Sequence, residues 1–327
     1  MTNKQKAQAI YEYGMAHLTE SEERFKGLLK LTGHMYRYEF DNILMVYEQK
    51  PRSTLVADYD TWKKVDRFVK RGSKGMLIFP SRALRAGERY VFDISDTGGR
   101  AANLTWHIDE GNIADIVNVL ERRCDIRALE NNDIVTIKNT FKVFTEDSIL
   151  TIMKSEFEER LDELSQLSGS VIKEESEKRQ GLSDAENLVF SSVRYVVGTR
   201  CGLEISGKEQ DFSMVVGIKD EEILYRLGSL VCDVSCSVLK SISRLCKDVE
   251  QERRIAYGKF DLPRSGWSSV SGHRIAGESG EGIIAAGQIR KDGTSLSGGD
   301  GAGEVQNTVQ VWNTSGENER SGYGSEP

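Results

Sequence analysis

The chain has 327 residues, a mass of 36.6 kDa and a formal net charge of −7. Hydrophobic residues make up 38% and the mean hydropathy is −0.45, so part of the chain is expected to be solvated rather than packed. No run approaches the eighteen or so apolar residues of a membrane span, and Met1-Thr-Asn-Lys-Gln-Lys leads into no apolar export signal. These features point to a cytoplasmic protein without a membrane anchor.

In chain order, residues 4–17 and 20–32 read as helices, the second opened by a capping box, Thr19-Glu20-Ser21-Glu22. Residues 40–49 form a third helix, with Phe40, Ile43, Leu44 and Tyr47 on one face. Pro51 ends it, because proline disfavours helix at the residue before it. Residues 53–57 are β-prone. Asp58 or Asp60 is expected to cap a short helix that turns Trp62, Val65 and Val69 inward. Gly72 and Gly75 mark a turn. Residues 76–80 and 89–94 read as an antiparallel strand pair joined by the polar segment 81–88.

From about 111 the period is helical. One stripe holds Leu150, Met153, Phe157, Leu161 and Leu164. Ser183-Asp-Ala-Glu186 has the capping-box form ahead of Val189, Val193, Val196 and Val197. A further helical pattern over 220–257, interrupted near Gly228, turns Leu230, Val234, Val238, Ile242 and Leu245 inward. From 261 onward, fourteen of the chain's 31 glycines fall in 67 residues, a composition that cannot offset the entropy of ordering. The expected fold class is α+β: a small α+β domain over 1–100 with an antiparallel strand pair, a mainly helical domain over 111–258, and a disordered Gly/Ser-rich tail over 261–327.

Several chemistries have no signature here. The sequence contains no Gly-x4-Gly-Lys-Ser/Thr phosphate loop, no His-Glu-x-x-His and no Gly-x-Ser-x-Gly elbow. Gly72-Ser-Lys-Gly75 is too short for a dinucleotide fingerprint. The five cysteines (124, 201, 232, 236, 246) are an odd number, and the four histidines (17, 34, 107, 273) are scattered. Cys232 and Cys236 share a helix face, but free thiols fit better than a metal site. The reading is therefore non-enzymatic, with no cofactor and no metal.

What stands out is local positive charge on an acidic chain. Net charge is +5 over residues 1–100, −8 over 101–260 and −4 over 261–327. Two stretches interleave aromatic with basic and amide side chains. The first holds Tyr36, Arg37, Tyr38, Asn42 and Gln49. The second, residues 58–75, holds Tyr59, Trp62, Lys63, Lys64, Arg67, Phe68, Lys70, Arg71 and Lys74. Single-stranded nucleic acid is bound by this mixture, a positive groove for the backbone and flat side chains for unstacked bases. Asn42 and Gln49 are seven apart, nearly on one helix face, where their amides would reach base edges or sugar. Tyr36 and Tyr38 precede the helix as candidate stacking residues. Lys63, Arg67 and Lys70 would share a helix face by spacing, with Arg71 and Lys74 extending it into the glycine turn. Phe40, Tyr47 and Trp62 fit the core better than a ligand. A solvated charged face is the plain alternative for the basic run, though six basic residues in twelve face one acid, Asp66.

At these residues the chain resembles the N-terminal single-stranded-DNA-binding domain of ArdC-type antirestriction proteins. It resembles still more the opening of the large helicase-like proteins of conjugative elements. The resemblance rests on Tyr36-Arg-Tyr-Glu-Phe-Asp-Asn-Ile-Leu-Met-Val-Tyr-Glu-Gln-Lys-Pro51, on Trp62 with Arg71-Gly-Ser-Lys-Gly75, and on Arg89-Tyr-Val-Phe-Asp-Ile-Ser-Asp96. Tyr195-Val-Val-Gly-Thr-Arg-Cys-Gly202, Asp211-Phe212 and Leu227-Gly228 extend it, so that it spans about 20–257. It implies single-stranded DNA binding in a bacterial mobile-element setting, with helicase or transfer proteins as further partners. The metalloprotease-like, helicase or methylase-like parts of those proteins have no counterpart here. The alternatives are a protein–protein adaptor of transfer machinery, or an inactive fragment of a larger helicase-like protein.

Overall fold

A computed structural model describes residues 1–80, 89–99, 104–124, 133–169, 175–205, 211–256, 286–287 and 309–310. The chain begins with three helices, α1 (Asn3–His17), α2 (Glu22–His34) and α3 (Phe40–Gln49). The capping box belongs to α1, where Thr2 and Gln5 cap each other reciprocally. The box expected at Thr19 does not form. Ser21 is the N-cap of α2, its hydroxyl accepting from the Arg24 N–H, and Thr19 instead donates to the Ile218 carbonyl.

Four strands and a short helix follow. They are β1 (Val56–Asp58), α4 (Tyr59–Lys64), β2 (Arg67–Val69), β3 (Met76–Ile78) and β4 (Arg89–Asp93). The expected β3–β4 pair is antiparallel, with Leu77 opposite Tyr90. β1 adds to the other side of β4, giving the order β1-β4-β3. Asp58 is the cap of α4, accepting from the Thr61 N–H at 2.7 Å. That helix is shorter than its spacing predicts. It stops at Lys64, Asp66 takes a left-handed φ of 58°, and Arg67–Val69 become a strand paired with β5 (Thr97–Gly99).

Four more α-helices follow, the last three long: α5 (Ile113–Cys124), α6 (Ile134–Gly169), α7 (Glu175–Cys201) and α8 (Glu221–Ala256). α7 begins upstream of Ser183, which therefore sits within the helix and not at its cap. α8 runs unbroken through Gly228, and the missing side chain there makes room for the Phe40 ring, with which a Cβ would collide. The valines of α7 and the inward residues of α8 are buried as expected. On α6, Met153 is buried but Leu150 is 38% exposed, and the side chains of 157, 161 and 164 lie outside the described residues.

One apolar cluster runs from Met15 on α1 to Val249 on α8. It takes in Val56, Met76, Ile78 and Val91 from one face of the sheet. Helices on both sides of residues 100–111 thus share a core. A separate small cluster of Ala57, Trp62 and Val65, with Val69, Phe92, Ile94 and Leu104 packed against it, holds α4 and β2 onto the sheet. The class is α+β, with the small antiparallel sheet in the N-terminal part and mainly helix beyond it. Within 261–327 only 286–287 and 309–310 are described, as a two-residue antiparallel pair. The disorder expected of the rest, and the linker 81–88, lie outside the described residues. No described helix is long and apolar enough to cross a membrane.

Candidate nucleic-acid interface

The first aromatic and amide stretch is turned inward. Asn42 is 2% exposed, and its Oδ1 accepts from the Phe79 N–H at 2.9 Å. Gln49 bonds both ways to Leu77: its Oε1 accepts from the N–H at 2.8 Å and its Nε2 donates to the carbonyl at 2.7 Å. The two amides do share a helix face. What they pair with is the free edge of β3, which they close as a neighbouring strand would. They are not available to base edges.

Tyr36 and Tyr38 are not exposed stacking residues either. Tyr36 is 7% exposed, its ring edge-on to Trp106 with centroids 6.5 Å apart. Its hydroxyl accepts from Trp106 Nε1 and from Arg37 Nε, each at 3.3 Å. Tyr38 is half-buried and its hydroxyl donates to the Val56 carbonyl at 3.0 Å. Burial, and then the Asp58 charge, hold its phenol far above the usual value. The reason is common to all four residues. Residues 36–49 run from the end of α2 through α3 against the sheet, and polar atoms buried there must find partners within the protein.

The second stretch is turned outward. Trp62 is the expected exception, fully buried, its Nε1 donating to the Phe92 carbonyl at 3.0 Å. Lys63, Lys64, Lys70, Arg71 and Lys74 are all exposed. Lys70 Nζ donates to the Ser95 carbonyl at 3.0 Å, and Arg67 Nε donates to Thr97 Oγ1 at 2.8 Å. Arg67 and Lys70 thus fasten β2 to the 95–97 segment. Lys63, Lys64, Arg71 and Lys74 have no carboxylate within ion-pair distance among the described residues. Asp60 and Asp66 are the acids of this stretch facing solvent. Gly72, at φ 87°, turns the loop with nothing packed over it, so its backbone is open to a ligand.

Two aromatics of this stretch, Phe68 and Tyr59, were not named as contact residues from the sequence. Phe68 is 59% exposed, the outward residue of the three-residue strand β2. Its ring lies across Gly98 of the paired strand, where a Cβ would come within 2.8 Å of Phe68 Cζ. Tyr59 is 55% exposed at the first position of α4, and Lys63 one turn on shares its side of the helix. The signal for Phe68 was present in the alternation of Arg67-Phe68-Val69, which a helical reading of 59–70 hides. The structure brings together Lys63, Arg67, Lys70, Arg71 and Lys74 on α4, β2 and its loop. It separates them from Tyr36, Arg37, Tyr38, Asn42 and Gln49.

Among the described residues no group of three or more His, Cys, Asp or Glu side chains is placed to hold a metal. Cys201, Cys232, Cys236 and Cys246 are free thiols. Burial pushes the Cys246 thiol up to about 12, so it stays protonated and unreactive. Comparison with protein-family models, with curated proteins and with solved structures finds no match for this chain.

Proposed function

We propose that this protein binds single-stranded DNA, without catalysis, through the outward face of α4, β2 and the 70–75 loop. The observation that carries the reading is Phe68, a large ring left in solvent on a strand whose neighbouring Arg71, Lys74, Lys63 and Lys64 are exposed cations. An exposed aromatic beside cations that pair with no carboxylate among the described residues supplies the two contacts a single strand needs, a stacking surface and phosphate charge. Tyr59 adds a second exposed ring on the same helix as Lys63 and Lys64. Affinity comes from phosphate, so sequence preference is weak. On the sequence resemblance to ArdC-type domains, the proposal extends to a setting in bacterial conjugative transfer or antirestriction, in the cytoplasm, with helicase or transfer proteins as further partners.

Fluorescence anisotropy with labelled oligonucleotides at several salt concentrations tests the reading. With about five phosphates neutralised, log affinity falls against log salt with a slope of about −3.5. Absence of binding at low salt, or an affinity indifferent to salt, would refute it and favour a protein-binding role for the same face.

A further inference from the structure

A second cationic cluster lies where the C-terminal ends of α2 and α7 meet. Gly33 packs directly on α7, where a Cβ would come within 3.1 Å of the Val196 carbonyl oxygen and 3.2 Å of Arg200 Cβ. This close approach brings His34, in the last turn of α2, beside Arg200, in the last turn of α7. Burial, and then the charges of Arg200 and Lys30, hold the His34 imidazole below its usual pKa. Arg200 is itself partly buried. Its guanidinium lies 3.7 Å from the centroid of the Trp106 ring, and its Nη2 donates to the Trp106 carbonyl at 2.6 Å. Trp106 also meets Tyr36, whose hydroxyl accepts from Trp106 Nε1 and from Arg37 Nε.

The cluster holds many donors and few acceptors. Arginine carries five N–H groups in a fixed fork, and only Nη2 of Arg200 is engaged among the described residues. The Tyr36 hydroxyl already accepts from Trp106 and Arg37, which leaves its own proton to donate, with no described acceptor. Lys30, Arg37 and Arg200 pair with no carboxylate among the described residues. Asp93 is the acid close enough to act on His34. Its oxygens are already occupied by the N–H groups of Thr54, Leu55 and Ser95. The end of α7 offers Arg200 only the partial charge of a helix C-terminus, about half an elementary charge. A partly buried guanidinium held against a ring, with one described hydrogen bond on its fork, matches an oxyanion that accepts two parallel hydrogen bonds.

We propose that Arg200, with Arg37 and the Tyr36 hydroxyl, forms a binding site for a phosphate group. The group is either a free phosphate or a phosphodiester of a nucleic-acid strand. Trp106 is 3% exposed, so it sets the plane of the guanidinium and does not stack on a base. The site stands whether or not the 59–75 face binds a strand.

The test follows the Trp106 indole N–H in proton–nitrogen NMR spectra of the full chain, with Trp106→Phe to assign the peak. Inorganic phosphate is titrated at constant ionic strength against chloride, and a short oligothymidylate is titrated separately. A saturable shift with phosphate identifies a free oxyanion as a ligand, and a shift with the oligonucleotide alone identifies the phosphodiester. In either case Arg200→Met weakens the response at least about tenfold, since a hydrogen-bonded charge is lost. Arg37→Gln, which keeps Arg200 and its stack on Trp106, also weakens it, so that the loss does not come from a disturbed Trp106 site. The proposal is overturned if neither ligand moves the wild-type resonance, or if the Arg200→Met and Arg37→Gln proteins respond like the parent.

Discussion

Residues 36–49 and residues 59–74 carry the same mixture of aromatic, cationic and polar side chains, yet the fold uses them in opposite ways. In the first, the amides of Asn42 and Gln49 close the edge of β3, and the tyrosine hydroxyls bond within the protein. In the second, Trp62 turns in with Val65, while Phe68 and the lysines face solvent. The difference lies in what surrounds each segment. Residues 36–49 are enclosed by α1, α2, α8 and the sheet, where every polar atom needs a protein partner. Residues 59–74 cover the small cluster around Trp62 with one side only. A composition suited to nucleic acid is therefore also a composition suited to sealing a sheet, and exposure separates the two.

Substitutions can break this contrast from either side. The largest effect is expected at Trp62, which anchors the outward segment. Trp62→Ala should cost about 3–5 kcal/mol in urea denaturation, with any loss of DNA binding following the loss of folded protein. Next comes the inward segment. Gln49→Ala leaves the Leu77 N–H and carbonyl without their partner and should cost about 1–3 kcal/mol of stability. The same protein, at a temperature where it is folded, should bind oligonucleotide like the parent. A Gln49→Ala protein of full stability and weakened binding would reverse the assignment of this amide.

On the outward segment the order is inverted. Phe68→Ala should weaken oligonucleotide binding by about 1–3 kcal/mol, the usual worth of one stacked base. Its melting temperature should change little, because the ring is mostly in water.

Asp93 sharpens the comparison through pH. Its burial raises the carboxyl pKa, but hydrogen bonds from Ser95, Thr54 and Leu55 outweigh this and leave it below the usual value. A carboxyl lowered in the folded state adds stability above its unfolded value of about 3.9, and that stability is lost as pH falls through the folded value. Asp93→Asn should therefore reduce stability at neutral pH and flatten the acid limb of stability against pH below about 4. An unchanged acid limb would show that Asp93 does not carry it.

Much of the frame was legible in the sequence. The 40–49 helix, the β3–β4 pair, buried Trp62 and the inward faces of α7 and α8 follow from periodicity and turn residues. The course of 65–69 was not, because Trp62, Val65 and Val69 fit a helical stripe as well as they fit a cap and a strand. Asp66 at positive φ decides between the two, and aspartate tolerates that conformation without advertising it. Of the candidate site, the basic residues 63–74 were legible as exposed charge. The fate of Tyr36, Tyr38, Asn42 and Gln49 was not, since their partners are backbone atoms or side chains of Val56, Leu77, Phe79 and Trp106, set by tertiary packing.

The central claim is that the outward face meets phosphate, and a charge-removal variant tests it most directly. Lys63, Arg71 and Lys74 are exposed and engage no described partner, unlike Arg67 and Lys70, so replacing these three by alanine should change stability by no more than about 0.5 kcal/mol each. Oligonucleotide binding by the Lys63→Ala, Arg71→Ala, Lys74→Ala protein should be weaker at every salt concentration. Its slope of log affinity against log salt should flatten from about −3.5 to about −1.4, three contacts being lost at about 0.7 each. A folded triple variant with the parent's affinity and slope would contradict the account, leaving this stretch a solvated face.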